Sequence, residues 1–379
     1  MHKLPFQTIG IYAAKMSGPA TSVKFIFYVY NIMSRPLSIG HSQSFRFWRL
    51  KYLVTGASGF VGSAVLRQLL QRESDVRVLV RENSDLGNID GLPVDVIHGD
   101  LNDRDSLRKA VRGIEGVFHV AADYRIWVPD AEAMIRTNRD GSRDLMLACL
   151  DAGVRRIVYT SSVATLGISS DPRGANESAP SRLEDMIGPY KQSKFLAEKE
   201  VNRLYQESDL PVVIVNPSTP VGPRDIKPTP TGRMIVEAAK GKMPAYVDTG
   251  LNIVHVDDVA AGHLLAFDKG RVGERYILGG KNLSLKEILD SVARIVDRPP
   301  PKFKLPHNLV LAIAHAAELA AKLRGNAEPF VTVDGVRMSK KKMFFDSARA
   351  REELGYSPRP AEDSIEDAIA WFKANGYLD

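Results

Sequence analysis

From residue 51 onward, short apolar runs rich in Val and Ile alternate with longer segments whose apolar residues recur at helical spacing. The short runs are apolar on both sides of the chain, as is typical of strands buried on both faces of a parallel sheet. The predicted strands are 51–55, 75–81, 94–100, 116–122, 155–162, 211–216 and 275–280. The predicted helices are 60–72, 131–152, 189–208 and 257–269. The alternation predicts an α/β fold with a doubly wound parallel sheet.

Two parts of the chain break this alternation. Residues 217–232 are rich in Pro and Gly without periodicity, which is typical of a functional loop. The tail from about residue 281 is mostly helical in pattern, and its most apolar helix is 307–323. We therefore expect a dinucleotide-binding domain at 51–216, completed by about 252–280. Residues 217–251 and 281–379 are expected to form a smaller, mostly helical substrate lobe.

Residues 1–50 differ in composition from the rest, since they hold six basic residues and no Asp or Glu. Three interpretations stay open: a transit peptide, a membrane-surface anchor through 23–33, or an over-extended start with the initiator at Met33 or later. In each of them the segment is an extension outside the catalytic fold. The remaining chain has equal numbers of basic and acidic residues, and this excludes a nucleic-acid-binding protein.

Other bulk features narrow the class further. The single Cys149 excludes a disulfide framework and a cysteine-based metal site, so we expect no metal. No apolar run reaches the roughly 18 residues of a spanning helix. We expect a cytoplasmic enzyme with a small-molecule substrate and, at most, peripheral contact with a membrane.

TGASGFVG (55–62) places glycines at 56, 59 and 62 between the first predicted strand and the first predicted helix. In this context the spacing predicts a dinucleotide site of the Rossmann type. Gly56 allows the tight turn, Gly59 lets the pyrophosphate approach, and Gly62 lets the helix pack on the strand. The phosphates would then rest on the N-terminus of the helix.

The end of the second predicted strand selects the dinucleotide. An acidic residue there usually binds the ribose 2′-hydroxyl of NAD, whereas this strand ends on Arg81, with Glu82 next to it. A guanidinium suits a 2′-phosphate, so the sequence favours NADP(H), with NAD(H) as the alternative. Asp100 is placed to meet the adenine ring.

YKQSK (190–194) spaces a tyrosine and a lysine by one helical turn, which puts both on one face. The ammonium would favour the phenolate and lower the pKa of the tyrosine, which makes it a general acid–base. VYTSSVATLG (158–167) supplies hydroxyls at the end of a strand that points to the same cleft.

These motifs, together with GDL (99–101), VFHVAA (117–122), NRDG (138–141) and HVDDVA (255–260), resemble the extended short-chain dehydrogenase/reductases over nearly all of residues 51–379. The resemblance implies that Tyr190 is the general acid–base and that Lys194 holds the nicotinamide ribose. It also implies that Ser162, rather than Ser161, is the catalytic hydroxyl, and that the protein is a homodimer formed through helices 131–152 and 189–208.

The expected contacts follow from the motifs and the resemblance together. Those to the dinucleotide are Gly56, Ser58, Gly59, Phe60, Val61, Gly62, Arg81, Asp100, Leu101, Ala121, Ala122, Tyr190, Lys194, Pro217 and Ser218. Those to the substrate are Tyr124, Trp127, Thr219, Arg224 and Arg233.

Closer resemblance points in two directions. The Arg-ended second strand, FHVAA and NPSTPVGP are similar to dihydroflavonol 4-reductase-like proteins, which implies an NADPH-dependent ketone reductase. NPSTPVGPRDIKPTPTGRMI (216–235) resembles the hopanoid-associated sugar epimerases, which implies a sugar-like or polyol substrate in hopanoid lipid biosynthesis. Nucleotide-sugar epimerases commonly carry Asn at the position of Thr219. A non-catalytic regulator that senses NADP(H) is the third hypothesis, and the complete set of Ser162, Tyr190 and Lys194 argues against it.

Overall fold

The computed structural model describes residues 50–125, 128, 130–169, 171, 173–323 and 331–379. The interpretations of residues 1–50 therefore concern residues that, apart from Leu50, lie outside the described chain. Trp127 lies outside it as well.

A seven-stranded sheet forms the centre of the molecule, and every pairing within it is parallel. In chain order its strands are β1 (Lys51–Thr55), β2 (Asp75–Val80), β3 (Asp95–His98), β4 (Gly116–His119), β5 (Arg156–Thr160), β6 (Val212–Pro217) and β10 (Arg275–Leu278). Their order across the sheet is β10-β6-β5-β4-β1-β2-β3. The predicted α/β class with a doubly wound parallel sheet is confirmed.

Helices cover both faces of this sheet. They are α1 (Phe60–Gln71), α2 (Arg104–Ala110), α3 (Ala131–Asp151), α4 (Gly188–Ser208) and α6 (Val256–Lys269). The sequence analysis did not predict α2, a short helix that begins where the carboxylate of Asp103 accepts a hydrogen bond from the backbone N–H of Asp105.

Successive residues of a strand serve two separate cores. On β1, Leu53 packs with α2, α3 and α4, while Val54 packs with α1 and α6. On β4, Val117 packs in the same core as Leu53 and Phe118 in the same core as Val54. Because both alternating sets must be apolar, these strands appear in the sequence as continuous apolar runs.

The remaining elements lie in 219–256 and 281–379. A second sheet joins β11 (Lys281–Ser284), β9 (Gly250–His255) and β7 (Thr219–Val221), and a third pairs β12 (Phe303–Lys304) with β8 (Ala245–Tyr246). The helices here are α5 (Pro230–Ala239), α7 (Leu285–Ile295), α8 (His307–Leu323), α9 (Val333–Ser339) and α10 (Ala361–Ala374). Helices α5, α7 and α10 share one apolar core, and α8 packs on α9 in another.

The described helices include none that is both long enough and apolar enough to cross a bilayer.

Candidate functional site

Parallel strands bring their carboxyl ends to one edge of the central sheet, and the predicted site residues follow those ends. Gly56 follows β1, Arg81 follows β2, Ala121 lies just beyond β4, and Ser161 and Ser162 follow β5. Ligands of open α/β sheets bind in the crevice at this edge.

Two of the three loop glycines have contacts that leave no room for a side chain, and the third is open. Gly56 has a left-handed φ of 72°, and a Cβ there would lie 2.7 Å from the backbone N of Ala121. A Cβ on Gly62 would overlap the carbonyl oxygen of Gly56. A Cβ on Gly59 would meet only that same carbonyl, at 3.3 Å, so this glycine faces open space. Since Gly59 is the N-cap of α1 and has no side chain, the first N–H groups of α1 face the crevice.

Asn88, which is distant in the sequence, holds this loop by a side-chain hydrogen bond. Its amide nitrogen donates to the carbonyl of Ser58 (3.2 Å) and to the carbonyl of Arg224 (3.1 Å), and the side chain is buried. One amide therefore joins the glycine loop to the irregular segment after β7. Sequence reasoning missed Asn88, because it lies in a turn without a motif.

The residues after β2 differ in what their side chains contact. Arg81 is exposed, and its backbone N–H donates to Ser84 Oγ at 3.1 Å. The carboxylate of Glu82 approaches His98 Nδ1 at 3.6 Å. Arg81 therefore presents a cation at the position expected to bind the ribose, beside an acidic residue that faces β3.

Asp100 and Leu101 follow β3. Asp100 Oδ1 accepts two hydrogen bonds from Asn102, from its backbone and its side chain, each 2.8 Å long. Leu101 is buried against Gly141 of α3, where a Cβ would lie 2.7 Å from Leu101 Cβ. The close contact explains a glycine inside NRDG and fixes the turn that carries Asp100.

A buried polar chain sets the backbone at the end of β4. Thr55 Oγ1 lies 2.7 Å from His119 Nδ1 and accepts a hydrogen bond from the N–H of Ala121, and His119 Nε2 lies 3.0 Å from Ser142 Oγ. Burial lowers the pKa of His119 to about 3, and the nearby charge of Lys194 acts in the same direction. His119 is thus neutral and structural.

Asn138 of the NRDG motif connects two parts of the site. Its side chain exchanges hydrogen bonds with the backbone of Asp123, both 2.8 Å, and also donates to Ser193 Oγ at 2.8 Å. Ser193 lies within YKQSK on α4. The segment that carries Tyr124 is therefore tied to the helix that carries Tyr190 and Lys194.

The structure places Ser162 against Tyr190, and Lys194 lies one helical turn beyond Tyr190 on α4. Burial raises the pKa of the Tyr190 phenol, while a hydrogen bond with Ser162 lowers it. Ser162 Oγ also accepts a hydrogen bond from the N–H of Ala164 at 3.1 Å. A phenol beside a hydroxyl, facing the crevice, can exchange a proton with a carbonyl or alcohol oxygen placed against both.

The side chain of Lys194 is buried. Its Nζ donates to the carbonyl of Thr160 at 2.7 Å and lies 5.3 Å from the ring centre of Tyr159. Burial lowers its pKa to about 8, and the carboxylate of Glu198 opposes that shift. The expected lowering of the Tyr190 pKa by Lys194 is not among the effects that shift this phenol, for which burial is the largest.

Glu198 lies one helical turn beyond Lys194 and is the centre of a buried cluster. Its carboxylate accepts hydrogen bonds from Ser161 Oγ, from Thr165 Oγ1 (2.9 Å) and from Asn216 Nδ2 (3.0 Å), and it pairs with Arg275 (3.1 Å). Ser161 is thereby turned into the protein interior, away from Tyr190. This supports the choice of Ser162 over Ser161 as the hydroxyl in the crevice.

The same cluster fixes the loop that holds Ser162. Asn216 Nδ2 donates to the carbonyl oxygen of Ser162 at 3.0 Å, and Thr165 Oγ1, whose single proton is shared between this oxygen and Glu198, lies 2.8 Å from it. Sequence reasoning missed Glu198, although its spacing of four residues from Lys194 was a usable signal.

The predicted substrate residues divide into two groups. Tyr124 and Arg233 lie near enough to Asp225 to interact with its charge, and Thr229 donates to this buried carboxylate, which was missed in the sequence. Burial is the main cause that raises the pKa of Asp225 to about 6. Arg224, in contrast, has its guanidinium paired with Asp257 at the start of α6. Thr219 lies on β7, half-buried.

The residues in place fit a dinucleotide. The glycine loop is packed tightly at Gly56 and Gly62, and at Gly59 it leaves open space that a side chain would fill. This space can take the phosphates of a dinucleotide. Among the residues that the structure describes, the buried Ser218 Oγ, just after β6 and Pro217, has no hydrogen-bond partner. Ala122 extends the same edge beyond Ala121, and Phe60 and Val61 form the first turn of α1. The described chain contains no cluster of side chains suited to a metal ion.

Comparison with known proteins agrees with this geometry. Residues 52–279 match the NAD dependent epimerase/dehydratase family. The chain is 45% identical to "Putative dihydroflavonol 4-reductase" of Synechocystis sp. over 86% of this chain and 96% of that protein. It is 37% identical to "Sterol demethylase protein B" of Methylococcus capsulatus over 86% and 99%.

A solved structure extends the likeness to three dimensions. The crystal structure of gox2253 is 53% identical and superposes with a TM-score of 0.78 over 87% of this chain and 99% of that one. The chain therefore belongs to the NAD dependent epimerase/dehydratase family, the extended short-chain dehydrogenase/reductases, and is an NAD(P)-dependent enzyme.

Proposed function

We propose that the protein is an NADP(H)-dependent reductase that interconverts a ketone and a secondary alcohol and exchanges its cofactor in each turnover. The observation that carries this proposal is the group of Ser162, the half-buried Tyr190 and Lys194 beside a glycine cradle. The bound dinucleotide would supply or accept a hydride at the substrate carbon.

The protein side of the reaction is proton transfer and orientation. Ser162 and Tyr190 would hold the substrate oxygen, and the Tyr190 O–H would donate its proton to that oxygen as the carbon is reduced. Lys194 would hold the nicotinamide ribose and stabilise the phenolate that is left. Pro217 and Ser218 would line the nicotinamide end.

The substrate side supports a reductase over a nucleotide-sugar enzyme. Thr219 occupies the position where nucleotide-sugar epimerases commonly have Asn, and the charge of Arg224 is engaged by Asp257. A nucleotide diphosphate would thus lose one of the two arginines expected to bind it. Tyr124 and Arg233, which both lie near Asp225, would contact a smaller polar or ring-bearing substrate.

A sugar epimerase or dehydratase is the second candidate. The run from Asn216 to Ile235 and the family description favour it. Such an enzyme returns the hydride to the substrate within one turnover, so the two candidates differ in net cofactor consumption.

That difference gives the test. Purified protein is incubated with NADPH and panels of ketones and nucleotide-sugars, while absorbance at 340 nm and product formation are both followed. We expect a ketone to be reduced with one NADPH consumed for each product. Product from a nucleotide-sugar without net NADPH consumption would reject the reductase in favour of the epimerase.

Tyr190→Phe is expected to lower kcat by about 10²–10⁴, because it removes the proton donor while leaving the ring in place. Ser162→Ala is expected to lower kcat as well. Ser161→Ala, whose hydroxyl faces Glu198 and not the crevice, is the comparison and should lower kcat less than Ser162→Ala does. NADPH affinity, measured by fluorescence titration, should change little in Tyr190→Phe. Near-normal turnover by that variant would refute the assignment.

Glu198→Gln tests how the buried cluster acts through Lys194. The carboxylate raises the pKa of Lys194, so its removal should lower that pKa below about 8 and shift the alkaline limb of the kcat profile to lower pH. Turnover should also fall by roughly ten- to hundredfold, since one compromised buried hydrogen bond costs about 1–3 kcal/mol.

The control for this variant is Glu200→Gln, a partly exposed residue of α4 that pairs with Arg203. Its pH profile should match that of the unmodified enzyme. A profile for Glu198→Gln that keeps its alkaline limb in place, in a folded protein, would contradict the proposed link.

Arg81→Asp is expected to shift cofactor preference from NADP(H) towards NAD(H). The change removes a cation from the 2′-phosphate and offers an acceptor to a 2′-hydroxyl, and one charge-assisted hydrogen bond of about 1.5–3 kcal/mol corresponds to roughly ten- to hundredfold in kcat/KM. Arg108→Asp, on the exposed side of α2, is the control. Equal kcat/KM of the unmodified enzyme for both cofactors would overturn the NADP(H) preference.

We further propose that the protein is a homodimer formed through α3 and α4. These helices expose part of Ile135, Leu147, Phe195 and Leu196. Charged residues such as Arg139 lie among these apolar residues. Sedimentation should show a dimer at micromolar concentration and a monomer for Leu147→Glu, while Val272→Glu should stay dimeric. A monomeric unmodified protein would contradict this proposal.

A further inference from the structure

Helix α8 presents an apolar face outward. Leu309, Ile313 and Leu319 are 51%, 40% and 61% exposed, and Ala312 and Ala316 between them are exposed as well. At 3.6 residues per turn these five positions fall within about 120° of one another. Scattered exposed apolar residues are ordinary, but a continuous stripe on one helix marks a contact surface.

The opposite face of α8 is firmly seated. Ala314 is fully buried and packs with Val333 and Val336 of α9, supported by Val310 and Leu311. The outward stripe is therefore presented by a helix that is already fixed on its inner side.

Basic residues surround the start of α8. The ring of Phe303, which is 69% exposed, stands between Lys302 and Lys304 in the sequence, and both lysines are exposed. His307 Nε2 lies 3.1 Å from the carbonyl of Ser339, so residues 340–342, all lysines, lie beside the start of the helix.

This charge is a local excess. Residues 302–343 contain eight basic and three acidic residues, although residues 51–379 as a whole are balanced. In the described part of the chain, the only acidic residue that lies among these lysines is Asp248. Its carboxylate is 2.8 Å from Lys304 Nζ and 3.7 Å from Lys342 Nζ.

We propose that this surface, made of the outward face of α8, Phe303 and the lysines around them, docks on an anionic lipid bilayer. An apolar helix face enters the region between headgroups and acyl chains, and lysines beside it bind anionic headgroups. The long lysine side chains can extend to the headgroups while the apolar residues lie deeper.

The charges argue against two other occupants. A second copy docked through the same face about a two-fold axis would bring two lysine clusters together. Residues 1–49 contain six basic residues and no acidic one, so their charge has the same sign as that of these lysines. An anionic bilayer complements both groups of cations.

The surface is linked to the site of hydride transfer. Asp334 of α9 lies against Gly188, since a Cβ added to Gly188 would be 3.3 Å from the Asp334 carboxylate. Gly188 is two residues before Tyr190. Docking through α8 would thus hold the crevice close to the membrane. The proposal stands on the surface itself and does not depend on which substrate is reduced.

The test is cosedimentation of the full chain with vesicles of phosphatidylcholine alone, or of phosphatidylcholine with about one third phosphatidylglycerol. We expect binding to the anionic vesicles to exceed binding to the neutral ones by about fivefold or more. Leu309→Gln/Ile313→Gln/Leu319→Gln should lower binding by about tenfold. Lys340→Gln/Lys342→Gln should remove the preference for anionic vesicles.

Two matched controls remove side chains of the same kind from other surfaces. Val96→Gln/Val272→Gln and Lys109→Gln/Lys373→Gln change exposed residues away from α8 and should bind as the unmodified protein does. Melting temperature and sedimentation confirm that each variant is folded and has its native mass.

Three outcomes would overturn the proposal. The first is an unmodified protein that binds neither vesicle. The second is an α8 variant that binds as strongly as the unmodified protein, which would assign binding to another segment such as residues 1–49. The third is an α8 variant that changes the mass of the oligomer, which would show that a second copy covers this face.

Discussion

The buried carboxylate of Glu198 constrains the centre of this molecule more than any other polar group of the site. Removing a carboxylate from water costs several kcal/mol unless hydrogen bonds and an opposite charge replace the lost solvation. Here the replacements come from the end of β5 through Ser161, from β6 through Asn216 and from β10 through Arg275. Three neighbouring strands and α4 must all be in register before the charge is satisfied.

This requirement explains how loosely connected parts of the site acquire fixed geometry. The two groups that bind the carbonyl of Ser162, Thr165 and Asn216, are themselves bound to Glu198. Lys194, one turn earlier on α4, keeps a higher pKa because that carboxylate is near. The orientation of the Ser162 hydroxyl and the pKa of the Lys194 ammonium thus both depend on Glu198, although Ser162 and Lys194 are distant in the sequence.

Much of the fold could be predicted because its signals are local. The strands are buried on both faces and are therefore continuous apolar runs. The glycine spacing is likewise set within the loop, since a Cβ on Gly62 would overlap the carbonyl oxygen of Gly56. YKQSK likewise places two side chains on one helix face. Asn88 and Asp225 could not be found in this way, because their roles depend on partners brought near by folding, such as the carbonyl of Arg224 for Asn88.

Electrostatics was the hardest part to foresee from residue types alone. The expected effect of Lys194 on Tyr190 assumed that the ammonium controls the pKa of a phenol on the same helix face. Burial is instead the largest cause of the pKa shift of both groups. Arg224 was expected to face a substrate, yet its guanidinium pairs with Asp257, while the carboxylate of its sequence neighbour Asp225 is buried and interacts with Thr229. The backbone of Arg224 has a left-handed φ of 76°, which turns consecutive side chains to different sides of the loop. A charged side chain therefore indicates a function only once the backbone that orients it is known. The same holds for the lysines beside α8, which form one surface only because the contact between His307 and Ser339 brings two distant segments together.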